Sequence, residues 1–178
     1  MKKLAVLLMI SAALLAQKPG APSSAGGVKW VVPSRWTADA ARPMRVATYK
    51  IPAAAGDPEA GECGIYFFGP GQGGTVQANL DRWIGQFETP DGKPAAAGKP
   101  QKQTVNGLQV STIDVSGTYT GAGGPMAASK SSKPGFRLLG AVVEGSQAPI
   151  FFKLAGPKKT MAAAEAEFQA LVKSIKKE

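Results

Sequence analysis

The chain has 178 residues, no histidine, one cysteine and a formal net charge of +9, from 21 Lys and Arg residues against 12 Asp and Glu residues. Without histidine it cannot form a Ser-His-Asp triad, a Cys-His pair or a histidine-ligated zinc or haem site. With one cysteine it cannot form an internal disulfide, a CxxC redox pair or a thiolate zinc site. We therefore predict no metal and no cofactor.

The N-terminal residues have the pattern of a cleaved secretion signal. A short basic start at residues 1–3 precedes an uncharged, mostly apolar run over residues 4–16, which is shorter than the roughly 20 residues of a membrane-spanning helix. We expect cleavage after Ala16, so that residues 1–16 are a signal peptide and the mature protein is periplasmic or secreted. Gln17 stands where a lipoprotein has cysteine, so we expect neither a lipid anchor nor stable membrane insertion after cleavage.

The rest of the chain predicts one domain behind a short leader. Residues 17–27 are rich in Pro, Gly, Ala and Ser and are expected to be disordered, whereas residues 28–178 are long enough to bury a single core. Basic residues are scattered and do not cluster with aromatic side chains, so we expect no nucleic-acid binding. They indicate a solvated basic surface that keeps the protein soluble and could attract an anionic envelope component. We expect a monomer whose partner is another exported protein or such a component.

Two strands are predicted in the first half of the domain. Trp30 and Trp36 open it with rings that could cover a sheet edge. Residues 45–51 alternate as a half-buried strand, and residues 63–68 are apolar on both faces, as expected of a central strand. Cys63 is expected to act there as a small buried side chain.

An amphipathic helix is predicted after a glycine-rich loop. Thr75 is placed to cap it, because a threonine hydroxyl can accept from a free amide of the first turn. The segment 88–102 consists of turn-forming residues and belongs to neither pattern. The apolar residues of the helix recur at helical spacing at Val76, Leu80, Trp83, Ile84 and Phe87.

The second half predicts a hairpin, two further strands and a final helix. The Asn-Gly pair at 106–107 is a strong hairpin signal, and the second arm extends to Tyr119. Strands are expected over residues 136–144 and 150–155. The final helix, capped by Thr160, has one apolar side formed by Met161, Ala164, Phe168, Leu171, Val172 and Ile175.

These elements predict an α+β fold, a single antiparallel sheet of about six strands with two amphipathic helices packed on it. The element order, the Trp30-x-x-Pro33-x-x-Trp36 opening and the closing Phe168-x-x-Leu171-Val172-x-Ser174-Ile175 helix resemble the PsbP-like fold of small exported bacterial proteins, over about residues 28–177. The resemblance implies an α/β/α sandwich and a non-enzymatic binding or assembly role. It assigns no functional residue.

The sequence Gly69-Pro-Gly-Gln-Gly-Gly74 satisfies the GxGxxG pattern between a strand and a helix. A dinucleotide site also needs a second parallel strand ending in an acid about 20 residues later, and the segment 88–102 interrupts any such strand. The amides of Gly73, Gly74 and Thr75 could still bind a small anion at the helix N-terminus. Alternatively, the glycines serve only the backbone angles of a turn.

The segment 121–134 is the candidate partner-binding loop, because it is long and has few side chains to anchor it. Met126 offers an adaptable apolar contact, and Lys130 and Lys133 offer charge to an acidic partner. The alternative is a disordered spacer without a role.

No catalytic residue is predicted, because the candidate acids fall on different elements and nothing in the sequence pairs them for hydrolysis. We therefore expect an exported non-enzymatic binding or assembly module of the cell envelope. A small-molecule or anion carrier and a histidine-free hydrolase with paired carboxylates are the alternatives. The acids considered for the hydrolase are Asp81, Glu88, Asp91, Asp114 and Glu144.

Overall fold

The computed structural model describes residues 23–122 and 131–178. Their elements in chain order are β1 (Ser24–Ala25), β2 (Val28–Lys29), β3 (Thr37–Ala38), β4 (Ala47–Ile51), β5 (Gly61–Phe67), α1 (Val76–Ile84), β6 (Phe87–Glu88), β7 (Gln101–Val105), β8 (Leu108–Ala122), β9 (Ser131–Glu144), β10 (Pro149–Pro157), α2 (Lys158–Ser174) and β11 (Lys176–Lys177).

The described strands form two sheets, not the single six-stranded sheet that the sequence predicted. The larger sheet has eight strands in the order β3-β4-β5-β10-β9-β8-β6, with β7 paired to β8, and the smaller has three in the order β1-β2-β11. Every paired strand in the described residues is antiparallel, as expected. The count was wrong because five strands contain only two residues, too few for alternation to be visible in a sequence.

The three-stranded sheet shows that regular structure begins earlier in the chain than predicted. Ser24 and Ala25 were expected in a disordered leader but pair with Lys29 and Val28. Lys29 in turn pairs with Lys176, so this sheet joins the two ends of the domain. The expected signal peptide and most of the expected leader lie outside the described residues.

Each face of the large sheet carries one helix. Helix α2 packs on one face, where Phe168 and Leu171 are buried with Ile65 and Phe152 in the larger hydrophobic cluster. Helix α1 packs on the other face in a second cluster formed by Leu80, Trp83, Phe87, Ile113, Leu138, Val142 and Phe151, among others. The arrangement is the α/β/α sandwich of the predicted α+β class.

Helix α1 begins as predicted, because the Thr75 hydroxyl oxygen accepts a hydrogen bond from the Ala78 amide at 3.2 Å. The helix ends at Ile84. Phe87, which the sequence placed on the helix, lies on β6 and is buried in the same cluster as Trp83.

Helix α2 begins at Lys158, three residues before the start that a Thr160 cap predicts, and Thr160 does not cap it. Pro157 occupies the capping position and offers no side-chain hydrogen bond. The Thr160 amide and hydroxyl both donate to Asp57 Oδ2, at 2.7 and 2.6 Å. The carboxylate that satisfies this helix N-terminus therefore comes from the β4–β5 loop, which local sequence patterns do not reveal.

The Asn-Gly hairpin is confirmed. Asn106 and Gly107 have φ angles of 48° and 78° between β7 and β8, the left-handed backbone that a two-residue hairpin turn requires. Asn106 Nδ2 also donates to the carbonyl oxygens of Lys173 and Ile175, at 3.2 and 2.7 Å. The same turn thus satisfies carbonyls at the end of α2.

The segment 121–134 is not simply a loop. Strand β8 continues to Ala122 and β9 starts at Ser131, so the two strands form a long hairpin with irregular register near its end. Lys133 therefore lies on a strand, paired with Tyr119. Met126 and Lys130 lie outside the described residues.

Candidate functional site

The sheet face that carries α1 is only partly covered. Helix α1 has nine residues and contacts mainly β8 and β9. The part of that face formed by β4, β5 and β10 is left open as a cleft of about 640 Å³. Charged and aromatic side chains line it.

Lys153 lies on β10, a central strand of the sheet, on the floor of this cleft. It pairs with Gly64 on one neighbouring strand and with Gly140 on the other. Both glycines leave room for aromatic rings, because a Cβ at Gly64 would lie 2.8 Å from the Tyr66 hydroxyl and one at Gly140 would lie 2.5 Å from Trp83 Cζ3. The lysine therefore lies between two positions without side chains of their own.

The Lys153 ammonium contacts neutral groups. Its Nζ donates to Gln86 Oε1 at 2.6 Å and to the Tyr119 hydroxyl oxygen at 3.2 Å. It also lies 5.3 Å from the centre of the Tyr119 ring. Among the described residues Lys153 forms no ion pair, which is unusual for a lysine on a central strand.

The pKa of Lys153 is lowered from its ordinary 10.5 to about 8, and burial is the largest cause. The positive charges of Arg45 and Arg82 contribute to this lowering, and the negative charge of Glu62 opposes it. At neutral pH the amine is therefore still mostly charged, but its charge is poorly compensated.

The carboxylates that line the cleft already have partners. Glu62 accepts from Arg45 at 2.7 Å and from Arg42 at 2.9 Å, and Arg42 also contacts Asp39 at 3.2 Å. Lys133 contacts Glu59 at 2.6 Å. The cleft lining thus holds more cations than carboxylates, with Lys153 and Lys50 added to the paired cations.

Aromatic rings form much of the remaining wall. The Arg45 guanidinium lies 5.4 Å from the centre of the Tyr66 ring, and Lys133 Nζ lies 5.1 Å from that of Phe136. The rings of Phe136 and Tyr119 stack with their centres 6.0 Å apart. Burial raises the pKa of both tyrosines, so their hydroxyls stay neutral and can donate or accept hydrogen bonds.

The glycine loop before α1 has a structural explanation. Gly73 and Gly74 have φ angles of 88° and 76°, and a Cβ at Gly73 would lie 3.1 Å from the Phe151 ring. Asn79 Nδ2 donates to the Gly73 carbonyl at 2.7 Å. The backbone angles and the packing therefore require glycine here, and anion binding by Gly73, Gly74 and Thr75 stays a prediction.

The other residue-level predictions have separate outcomes. Cys63 is fully buried, as predicted, and burial raises the pKa of its thiol far above the ordinary value. Of the hydrolase candidates, Asp91 pairs with Lys93 and Asp114 with Arg137, at different parts of the fold.

Within residues 23–122 and 131–178, no three acidic or cysteine side chains are grouped as metal ligands. The described helices include none that is long and apolar enough to cross a membrane.

Lys133 of the candidate partner-binding loop lies in the cleft, whereas the sequence analysis missed the rest of the site. Lys153 was included in a strand without comment, although a lysine in the middle of the apolar run 150–155 was a visible signal. Tyr66 lies beside it because β5 pairs with β10, and Arg45, just before β4, lies near it because β4 pairs with β5. No local pattern reveals this strand order.

A second cleft of about 420 Å³ lies between α2 and the strands β7 to β9. Leu139, Phe168 and Val172 give it an apolar floor. Its acids, Asp114 and Glu165, both contact Arg137. Its lysines, Lys99 and Lys173, are exposed to solvent, so this cleft lacks the buried, uncompensated charge that distinguishes the Lys153 cleft.

The fold is PsbP-like. The solution structure of cyanobacterial PsbP (CyanoP) from Synechocystis sp. PCC 6803 matches 96% of this chain and 99% of that chain, with a TM-score of 0.54 and 12% sequence identity. A crystal structure of a Pseudomonas aeruginosa protein of unknown function, PA94, matches 71% of this chain and 78% of that chain, with a TM-score of 0.49 and 11% identity. No family model and no curated protein matches the sequence.

Proposed function

We propose that this chain is a binding module that accepts an anionic group of its ligand in the cleft above Lys153. One observation carries the proposal: the Lys153 ammonium extends from a central strand into an open cleft and contacts only neutral hydrogen-bond partners among the described residues. The proposal combines the binding module that the sequence favoured with the anion carrier that was an alternative to it. The sequence pattern of residues 1–16 supports placing this module outside the cytoplasm.

Electrostatics gives the reason for an anionic ligand. An opposite unit charge brought within about 4 Å of an ammonium gains about 4 kcal/mol at the effective dielectric constant near a protein surface, and desolvation offsets part of this gain. The carboxylates of the cleft do not form an ion pair with Lys153, because each already contacts another cation. A carboxylate or phosphate from outside would supply the missing charge.

Because the bound anion interacts with the charged form of Lys153, binding should depend on pH. An anion favours the charged amine, so it should bind with full affinity below the free-protein pKa of about 8 and lose up to tenfold per pH unit above it. The site should therefore be occupied at neutral pH and released in alkaline solution.

The test uses inorganic phosphate and glycolate as probes, with amide chemical shifts as the readout. We expect both anions to shift amides around Lys153 and Arg45 at pH 7, and the shifts to disappear in Lys153→Met. Lys102→Met, on the exposed edge strand β7, is the matched control and should bind as the unaltered protein does. Equal binding by Lys153→Met, or shifts confined to other surfaces, would contradict the proposal.

A further inference from the structure

The Lys153 amine has the geometry of a nucleophile as well as that of an anion receptor. Its Nζ faces the cleft and is not engaged by any carboxylate of the described residues. A lysine paired with an acid is held in the charged form, and a charged amine has no lone pair with which to react. Here that restraint is missing.

Two neighbours fix the position of the amine. The Gln86 carbonyl oxygen accepts from the Thr120 amide at 2.8 Å, which ties the second residue after α1 to β8. A Cβ at Gly121 would lie 2.7 Å from Gln86 Cγ, so a glycine there makes room for this side chain. Gln86 is thus a positioning residue that holds Nζ through its Oε1, on the side where the Tyr119 hydroxyl also lies.

We propose that Lys153 Nζ forms a reversible imine with a small aldehyde or keto compound that carries an anionic group. The anionic part of this inference rests on the proposed function, in which the ligand's anionic group enters the cleft above Lys153. While the neutral Lys153 amine reacts, the other cations of the cleft, such as Arg45 and Lys50, would hold that group. The covalent part rests on the amine and its neutral neighbours.

The chemistry of the step balances without an oxidant or reductant. The neutral amine adds its lone pair to the carbonyl carbon, so that a C–N bond forms and the C=O π bond breaks with its electron pair moving to the oxygen. The nitrogen then loses one proton and the oxygen takes one up. The resulting carbinolamine loses one water as its C–O bond breaks, which leaves the imine. The Tyr119 hydroxyl, 3.2 Å from Nζ, is positioned to donate a proton to the departing oxygen and to recover one from the amine.

The amine is neutral often enough to react. With a pKa of about 8, about one amine in ten is uncharged at pH 7, far more than for an exposed lysine. The lower basicity also makes each neutral amine a weaker nucleophile. The net expectation is that Lys153 reacts about tenfold faster than an exposed lysine at pH 7.

The experiment traps the imine with glyoxylate and cyanoborohydride in the folded protein, and intact mass and peptide mapping locate the reduced adduct. We expect one dominant adduct on Lys153, formed about tenfold faster than that on Lys102, with a rate that rises with pH until about pH 8. Lys153→Arg keeps the positive charge and should lose this adduct, whereas Lys102→Arg should keep it. Tyr119→Phe should slow the trapping without moving it to another lysine.

Glycolate, which lacks the carbonyl, separates this inference from the proposed function. If glycolate shifts the cleft amides but glyoxylate labels Lys153 no faster than Lys102, the imine inference is wrong and the anion site stands. If glycolate does not bind and no selective adduct forms, both proposals are wrong. Competition by glycolate against the labelling of Lys153 would support both.

Discussion

Replacing Lys153 with methionine should stabilise the folded protein at neutral pH. Each unit by which folding lowers a lysine pKa costs about 1.4 kcal/mol of stability, so the change from 10.5 to about 8 corresponds to about 3 kcal/mol. Methionine has a similar length and no charge. It gives up the hydrogen bonds to Gln86 and Tyr119, each worth about 1 kcal/mol. We therefore expect a net gain of about 1 to 2 kcal/mol at pH 7.

The gain should depend on pH with a definite sign. Between pH 8 and 10.5 the unfolded chain still binds a proton on Lys153 while the folded protein has lost it, so the stability of the unaltered protein rises with pH in this window. Below pH 8 both states are charged and the full penalty applies. The advantage of Lys153→Met should thus shrink by about 2 kcal/mol between pH 7 and 10.

Urea unfolding of both proteins, followed by tryptophan fluorescence, measures the difference in their free energies of unfolding. The measurements are made at about pH 6.5, 8 and 10, because these values lie below, at and above the Lys153 pKa of about 8. Lys102→Met is the control, because Lys102 is exposed on an edge strand and its replacement should change stability by less than about 0.5 kcal/mol. A Lys153→Met protein that is less stable at pH 7, or whose difference does not vary with pH, would refute the account of an uncompensated buried charge.

Three further predictions test the fold around the site. Cys63 should resist thiol reagents in the native state and react only on unfolding, since it is buried and its pKa is raised; rapid native labelling would contradict this. Asp57→Ala should cost about 1 to 2 kcal/mol in urea unfolding, because α2 loses its capping carboxylate; an unchanged midpoint would show that the cap is dispensable. Gly140→Ala should cost about 1 to 3 kcal/mol through its collision with Trp83, whereas Gly98→Ala, whose Cβ would meet only the Asp114 carbonyl oxygen at an ordinary contact distance of 4.0 Å, should be nearly neutral; equal melting temperatures would count against the close contact.

The parts of the fold that could be predicted are those encoded locally. The Asn-Gly turn at 106–107, the Thr75 cap and the buried strand around Cys63 each depend on neighbours within a few residues, and each is confirmed. The predicted start of α2 was wrong because the carboxylate that binds the helix N-terminus, that of Asp57, is distant in the sequence. The local capping pattern pointed to the hydroxyl of Thr160, whereas in the folded protein the carboxylate of Asp57 accepts the hydrogen bonds at this helix N-terminus.

The candidate site depends almost entirely on non-local placement. Tyr119 comes within hydrogen-bond distance of Lys153 because the order of the strands brings β8 near β10. Gln86 does so because it follows α1, which lies on the same face of the sheet. The charge surplus of the cleft arises only when those elements meet. From the sequence, only Lys153 could have been singled out, as a lysine inside an apolar strand, and its missing acid partner could not have been read there.

The pairing of β2 with β11 has a consequence for how the chain acquires its structure. Val28 is fully buried and pairs with Lys177, while the Glu178 amide donates to the Gly27 carbonyl at 3.0 Å. These two strands lie about 150 residues apart in the sequence, so β2 can pair early with its neighbour β1, whereas its pairing with β11 has to close a loop of nearly the whole described domain. The small sheet therefore depends on a long-range contact that we expect to form late in folding.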